Sequence, residues 1–141
     1  PGAPGGEIMI IKGRKIVGGL AEGIALVSRD PVSFYGGVDP VTGVVTEPGH
    51  AVEGECVMGK VFVFPTGKGS TVGSYVIYRM SKLGTAPAAL VNSETEAIIA
   101  TGCVISGIPL VDKLDPDPLT EIKSGDLLKV SADEGVVEVV K

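Results

Sequence analysis

A buried apolar run, a glycine-broken turn and a hydroxyl at the head of a helix meet in one stretch, Val61 to Tyr75, written VFVFPTGKGSTVGSY. A strand ending in such a turn sets the Ser70 hydroxyl and several free backbone N–H groups at one spot, beyond the strand's carboxyl end. Gly67 and Gly69 let backbone approach a bound molecule closely. Lys68 adds a positive charge beside it, and Thr71 a second hydroxyl. Gly67, Lys68, Gly69 and Thr71 are therefore candidate substrate-binding residues around Ser70. A helix capped by Ser70 or Thr71 explains the same residues without any ligand, and the residues alone leave both readings open. A nucleotide-binding phosphate loop fails on spacing, because G-x-x-x-x-G-K-[ST] needs a Ser or Thr directly after the lysine and Lys68 is followed by Gly69.

The other reactive residues read more plainly. His50, the single histidine, follows Pro48-Gly49 in a loop and is read as solvated or bonded to backbone. A second acid or base is the sharper alternative. As a phosphate carrier it would need to adjoin a helix start, and Ala51-Val52-Glu53-Gly54-Glu55 opens none. Asp39, before Pro40, reads as a turn residue. Cys56 and Cys103 stand far apart without neighbouring His or Cys. Zinc and iron–sulfur sites need three or four ligands, usually in close pairs, so both are read as reduced thiols and no metal is expected on this chain.

These residues must be positioned by one α/β domain with mixed strands. Ile8 to Ile11 and Gly23 to Ser28 read as strands, with a turn at Gly18-Gly19. Lys12-Gly13-Arg14-Lys15 reads as a solvated turn between strands. A long irregular stretch runs from Arg29 to about Gly54, and loops of that length are usually functional. Lys60 to Phe64 is apolar on both faces and so central. Val72, Val76, Met80 and Leu83 then recur at helical spacing up to Gly84, a C-cap. Ala88 to Val91 is a second buried strand, Ser93-Glu94-Thr95-Glu96 reads as a capping box opening a helix to about Gly102, and Ile108 to Val111 is a third. Leu127 to Val130 and Val136 to Val140 form a hairpin.

Composition bounds the rest. At 141 residues, with 44% hydrophobic and 21% charged residues, the chain suits one soluble domain. Three Phe, three Tyr and no Trp make its core aliphatic. Twenty-one glycines are roughly twice the usual share and imply many tight turns. A net charge of -5 argues against a nucleic-acid partner, and no apolar run is long enough for a membrane span. The Pro/Gly-rich start has no signal-peptide pattern. Residues 1–8 are expected to be a flexible tail, with Met9 a candidate natural start and 9–141 a single domain working in the cytoplasm.

The segment P-T-G-K-G-S-T-x-G-S resembles the serine-bearing loop of the aconitase X small subunit. Further blocks agree in order: Gly37-Val38-Asp39-Pro40-x-Thr42-Gly43, Gly49-His50, Pro87-Ala88-Ala89-Leu90, Glu96 to Gly102, and Gly107 to Asp112. Thr71 stands where a second serine is common in that family. The resemblance implies a swivelling β/β/α domain like the C-terminal domain of aconitase, with Ser70 as catalytic proton acceptor in a hydro-lyase. It further implies a large partner subunit carrying a [4Fe-4S] cluster, which acts as Lewis acid on the departing hydroxyl of a small hydroxy acid. The family dehydrates (R)-5-phosphomevalonate to trans-anhydromevalonate 5-phosphate, or cis-3-hydroxy-L-proline, and a separate small chain favours the first. A non-catalytic carrier or binding module is the competing class. A helix N-terminus supplies at most ~2 kcal/mol toward a serine alkoxide, against about 1.4 kcal/mol per pKa unit, so this chain alone is expected to be inert.

Overall fold

The computed structural model describes residues 7–141. Residues 1–6 of the expected tail lie outside the described residues. The strands are β1 (Ile8–Val17), β2 (Leu20–Val27), β3 (Val61–Phe64), β4 (Ala89–Asn92), β5 (Leu110–Asp115), β6 (Leu127–Ser131) and β7 (Val136–Val140). They close into a barrel in the order β1-β5-β4-β3-β2-β6-β7. Neighbours from β2 through β3 and β4 to β5 are parallel. β1, β6 and β7 complete the ring by antiparallel pairing. The helices are a single turn α1 (Phe34–Gly37), then α2 (Gly73–Leu83), α3 (Ala97–Ser106) and a short α4 (Pro118–Glu121). No helix among the described residues is long and apolar enough to cross a membrane.

Strand alternation divides the core in two. Val61 and Val63 of β3, Ala89 and Val91 of β4, Ala25 of β2 and Val137 and Val139 of β7 fill the barrel interior. These are small and β-branched side chains, as a narrow closed barrel requires. Phe62, Phe64 and Leu90 point the other way, into a second core beneath α2 and α3. β3 is thus buried at every residue, as its apolar pattern predicts.

The second core also orders the long stretch after β2. Val32, Phe34, Val38, Val45, Val52 and Val57 are all buried in it. Phe34 packs against Phe62 and Phe64, with centroids 6.5 and 6.4 Å away. The Thr85 hydroxyl donates to the Pro40 carbonyl at 2.6 Å, and Val38 bridges to Val45 and Val44 to Cys56. Asp39 is a turn residue as expected, its carboxylate accepting the Val41 N–H.

Several expectations need correction. Lys12 to Lys15 is no turn, for β1 continues through it to Val17. Its side chains lie on the barrel's solvent face, and backbone pairing with β5 and β7 keeps it extended. The buried face of α2 is Gly73, Ser74, Ile77 and Met80, while Val72 and Leu83 are exposed. The C-cap at Gly84 stands, in the left-handed region. Ser93 does not cap α3, because the helix begins four residues later at Ala97; the N–H groups of Ser93 and Glu94 instead donate to the Pro65 carbonyl. Glu96 caps instead, its carboxylate accepting from Ile98 and Ile99. The helix also runs past Gly102 to Ser106, with Gly107 as its C-cap. Gly102 serves packing, since a Cβ there would lie 2.6 Å from Ile77 Cδ1. The third apolar strand begins at Leu110 and runs to Asp115. The closing hairpin forms as predicted, with a 3₁₀ turn at Ala132–Glu134.

Phe34→Ala removes the ring that seats the long loop on β3. We expect it to lower unfolding free energy by about 3–5 kcal/mol, read from the urea midpoint by circular dichroism; a midpoint within error of the parent contradicts the anchoring.

Candidate active site

β2, β3 and β4 run parallel, so the segments leaving their carboxyl ends gather at one edge of the barrel. The segment after β3 is held between the other two. Val32 and Gly67 form a parallel bridge, with Val32 N–H donating to Thr66 O at 3.1 Å and Lys68 N–H to Val32 O at 3.0 Å. From the β4 side, Ser93 and Glu94 N–H donate to Pro65 O at 3.0 and 3.1 Å.

The two glycines serve different needs. Gly67 is buried against the start of α3, where an added Cβ would strike Ile99 and lie 2.7 Å from a Glu96 carboxylate oxygen. Gly69 has φ +91, and a Cβ there would overlap the Ser33 hydroxyl. That left-handed turn lifts Lys68 and Ser70 toward solvent.

Ser70 lies at the loop's end, half-buried, three positions before α2 begins. Its Oγ accepts the Val72 N–H at 3.1 Å, and its carbonyl accepts the Gly73 N–H at 2.9 Å. The hydroxyl thus caps the turn leading into α2. The same geometry sets a donor on an oxygen that would carry charge after losing its proton. Thr71 beside it is exposed and lines one end of a cleft of about 360 Å³ between α2 and α3, with Ser74, Tyr75, Ile98 and Thr101 on its walls. Ser70 is adjacent to that cleft and not among its lining residues.

Lys68 is not a free cation. Its Nζ lies 2.9 Å from Glu47 Oε2, a partner from the long loop with no local signal in the sequence. Three loop positions on from Glu47, His50 is buried. One ring nitrogen, Nε2, lies 2.9 Å from the Pro31 carbonyl, and the other, Nδ1, accepts the Val52 N–H at 3.2 Å. These partners fix the Nε2–H tautomer and make His50 a staple between the long loop and the segment after β2. Both ring nitrogens are engaged by backbone and the ring is buried, so the backbone-bonded reading holds and the solvated one does not.

One further feature escaped the sequence reading. Asp112, fully buried on β5, accepts from Arg14 Nε at 2.9 Å and Nη2 at 3.0 Å and from Thr95 N–H at 2.8 Å. Burial pushes its carboxyl up, but the hydrogen bonds from Arg14 and Thr95 and the Arg14 charge outweigh burial and hold it below the usual carboxylate range. The thiols stay apart: burial pushes Cys103 up to about 12, while Cys56 donates to the Thr42 carbonyl. Among the described residues no three His, Cys, Asp or Glu side chains converge as metal ligands.

Comparison with known proteins agrees over almost the whole chain. A family model described as the aconitase X swivel domain matches residues 10–139. The chain is 54% identical over 131 residues to a phosphomevalonate dehydratase small subunit from Methanosarcina acetivorans, covering 93% of this chain and 91% of that protein. Its identity to the protein of the same name from Methanocella arvoryzae is 56%, covering 93% and 99%. Among solved structures it resembles a chain of Thermococcus kodakaraensis aconitase X in its holo-form, with TM-score 0.90 and 52% identity over 94% of this chain and 99% of that one. A UPF0107 protein solved by solution NMR is similar too, with TM-score 0.85 and 46% identity over 94% and 100%.

Two outcomes follow from the bonds described. His50→Ala leaves the Pro31 carbonyl and Val52 N–H without partners and lowers stability by about 1–3 kcal/mol, measured by urea unfolding. The Asp112 carboxyl is held below its unfolded value near ~3.9, so its contribution is fully present above that pH and is lost as pH falls through the folded pKa. The stability gap between parent and Asp112→Asn, about 2 kcal/mol at pH 7, should therefore close on acidification below pH ~4. A gap independent of pH contradicts the ionised pair.

Proposed function

The chain belongs to the aconitase X swivel-domain family, and from that membership we propose that it is the small subunit of a phosphomevalonate dehydratase, with Ser70 as proton acceptor. The observation that carries the reading is identity above one half, along nearly the full length of both chains, to proteins named phosphomevalonate dehydratase small subunit. The place of Ser70 at the carboxyl end of the central parallel strand supports it. In this reading the enzyme removes a proton from the carbon beside the carboxylate of (R)-5-phosphomevalonate and the hydroxyl from the next carbon. The product is trans-anhydromevalonate 5-phosphate, formed in the cytoplasm.

Ser70 Oγ takes the proton. The Val72 N–H at 3.1 Å favours the charged form of that oxygen, and the α2 dipole adds at most ~2 kcal/mol, one or two pKa units. Lys68 adds less than its charge suggests, because Glu47 compensates it at 2.9 Å. Lys68, Gly69 and Thr71 meet the substrate, while Gly67 keeps the loop pressed on α3. The remaining activation of Ser70 is assigned to a large partner subunit. The iron–sulfur cluster that the family implies does not fit this chain, whose thiols are one sealed in the core and one bonded to a carbonyl. The cluster is therefore assigned to the large subunit as well.

The test is co-expression with the large subunit, anaerobic reconstitution with iron and sulfide, and an assay of water loss from 5-phosphomevalonate. Turnover should need both chains, and Ser70→Ala should lower kcat by about 10²–10⁴-fold with the complex intact. Full activity in Ser70→Ala removes the serine from the mechanism. A loaded complex that dehydrates only cis-3-hydroxy-L-proline changes the substrate and keeps the base.

A further inference from the structure

We propose that Asp112 is a positioning residue of the Ser70 site, acting through the 93–96 loop without touching substrate; the inference rests on the reading of Ser70 as proton acceptor. A carboxylate is costly to bury and is retained where every lone pair is used. Asp112 is fully buried, and its oxygens are spent on the guanidinium of Arg14 and on one loop amide, Thr95 N–H at 2.8 Å. Lys113 N–H, one residue on, donates to Ser93 O at 3.0 Å. β5 therefore grips the 93–96 loop at two points.

That loop in turn grips the serine loop at its start and its middle. Ser93 and Glu94 N–H converge on Pro65 O at 3.0 and 3.1 Å, and the Glu96 carboxylate, fixed by the Ile98 and Ile99 N–H groups, backs Gly67. The path from Arg14 to Ser70 is thus Arg14, Asp112, Thr95, the Pro65 carbonyl and Gly67, then the free end of the loop. An asparagine at 112 has one acceptor oxygen where the site presents three donors, and its amide would face Arg14 or Thr95 donor to donor. Asp112→Asn keeps the volume and loosens the loop.

The test uses the reconstituted two-chain enzyme. Asp112→Asn should lower kcat by about 10–100-fold, the range expected for a group displaced by about an ångström, with KM and subunit affinity changed less than about twofold. The same substitution in a Ser70→Ala background should lower the residual turnover no further, because a residue acting through Ser70 has nothing left to position. An equal loss in both backgrounds marks a merely structural residue and overturns the inference, as does parental turnover in Asp112→Asn. If Ser70→Ala alone is fully active, the reading of Ser70 fails first and the inference with it. Where Asp112→Asn does not fold, Arg14→Lys tests the same clamp from its exposed side, with an intermediate loss of kcat expected and the same comparison against Ser70→Ala. Where Ser70→Ala turns over too slowly to compare, amide hydrogen exchange in the isolated chain decides. The β6–β7 hairpin gauges the global loss of stability. Exchange at 65–70 and 93–96 that speeds up by more than the hairpin's supports the inference, and an equal acceleration in both overturns it.

Discussion

β3 has no solvent face, and the active edge of the molecule depends on that. Val61 and Val63 are enclosed by the barrel, Phe62 and Phe64 by the helical core, and parallel neighbours bond it on both sides. A strand held this way cannot slip by one residue without driving phenylalanines into a lumen already packed with aliphatic side chains. The carboxyl end of β3 is therefore fixed, and so is the origin of the loop that carries Ser70. Because β2 and β4 run the same way, their exits flank that origin and bond to it at Thr66, Lys68 and Pro65.

The long segment between β2 and β3 follows from the same constraint. It contains little regular structure, yet its backbone entropy, of order 1–2 kcal/mol per residue, is offset by valines and one phenylalanine set into the helical core at irregular intervals. His50 binds the segment across its neck through both ring nitrogens. With that staple in place Glu47 reaches Lys68. The loop thus does two things at once: it covers the outer face of β3 and it sets the charge beside Ser70.

What was legible in the sequence was what local periodicity and turn chemistry encode. The apolar run of β3, the αL glycine closing α2, the closing hairpin and the serine loop all announce themselves within a few residues. What was not legible depends on partners far along the chain. Arg14 sits in a basic run that reads as a surface turn, and its acceptor Asp112 lies 98 positions away. Ser93 to Glu96 matches a capping box letter for letter, but the helix starts only at Ala97, with Glu96 as its cap, while Ser93 is bonded to Pro65 and Lys113 ahead of it. The spacing of α2 picked out Met80, which is fully buried, and Val76, which packs on the helical core. It also picked out Val72 and Leu83, which face solvent. The buried face runs instead through Ile77, where α3 approaches closely at Gly102. Barrel closure through β1 and β7 has no local signature at all. The serine loop was legible; the long-range bonds that hold it were not.

The charge balance around Ser70 argues for a divided enzyme more strongly than the cysteine count does. Two thiols fall short of the three or four ligands an iron–sulfur cluster takes, but they do not say why the serine should be idle alone. The local field does. One backbone N–H and a helix terminus together move a hydroxyl by one or two pKa units, and the only cation in the loop is matched by a carboxylate. Such a site binds an anion weakly and deprotonates nothing near neutral pH. A partner that brings positive charge to the same edge changes both properties together. In the function proposed for this chain, placing the missing charge on another chain makes assembly itself the step that activates the serine.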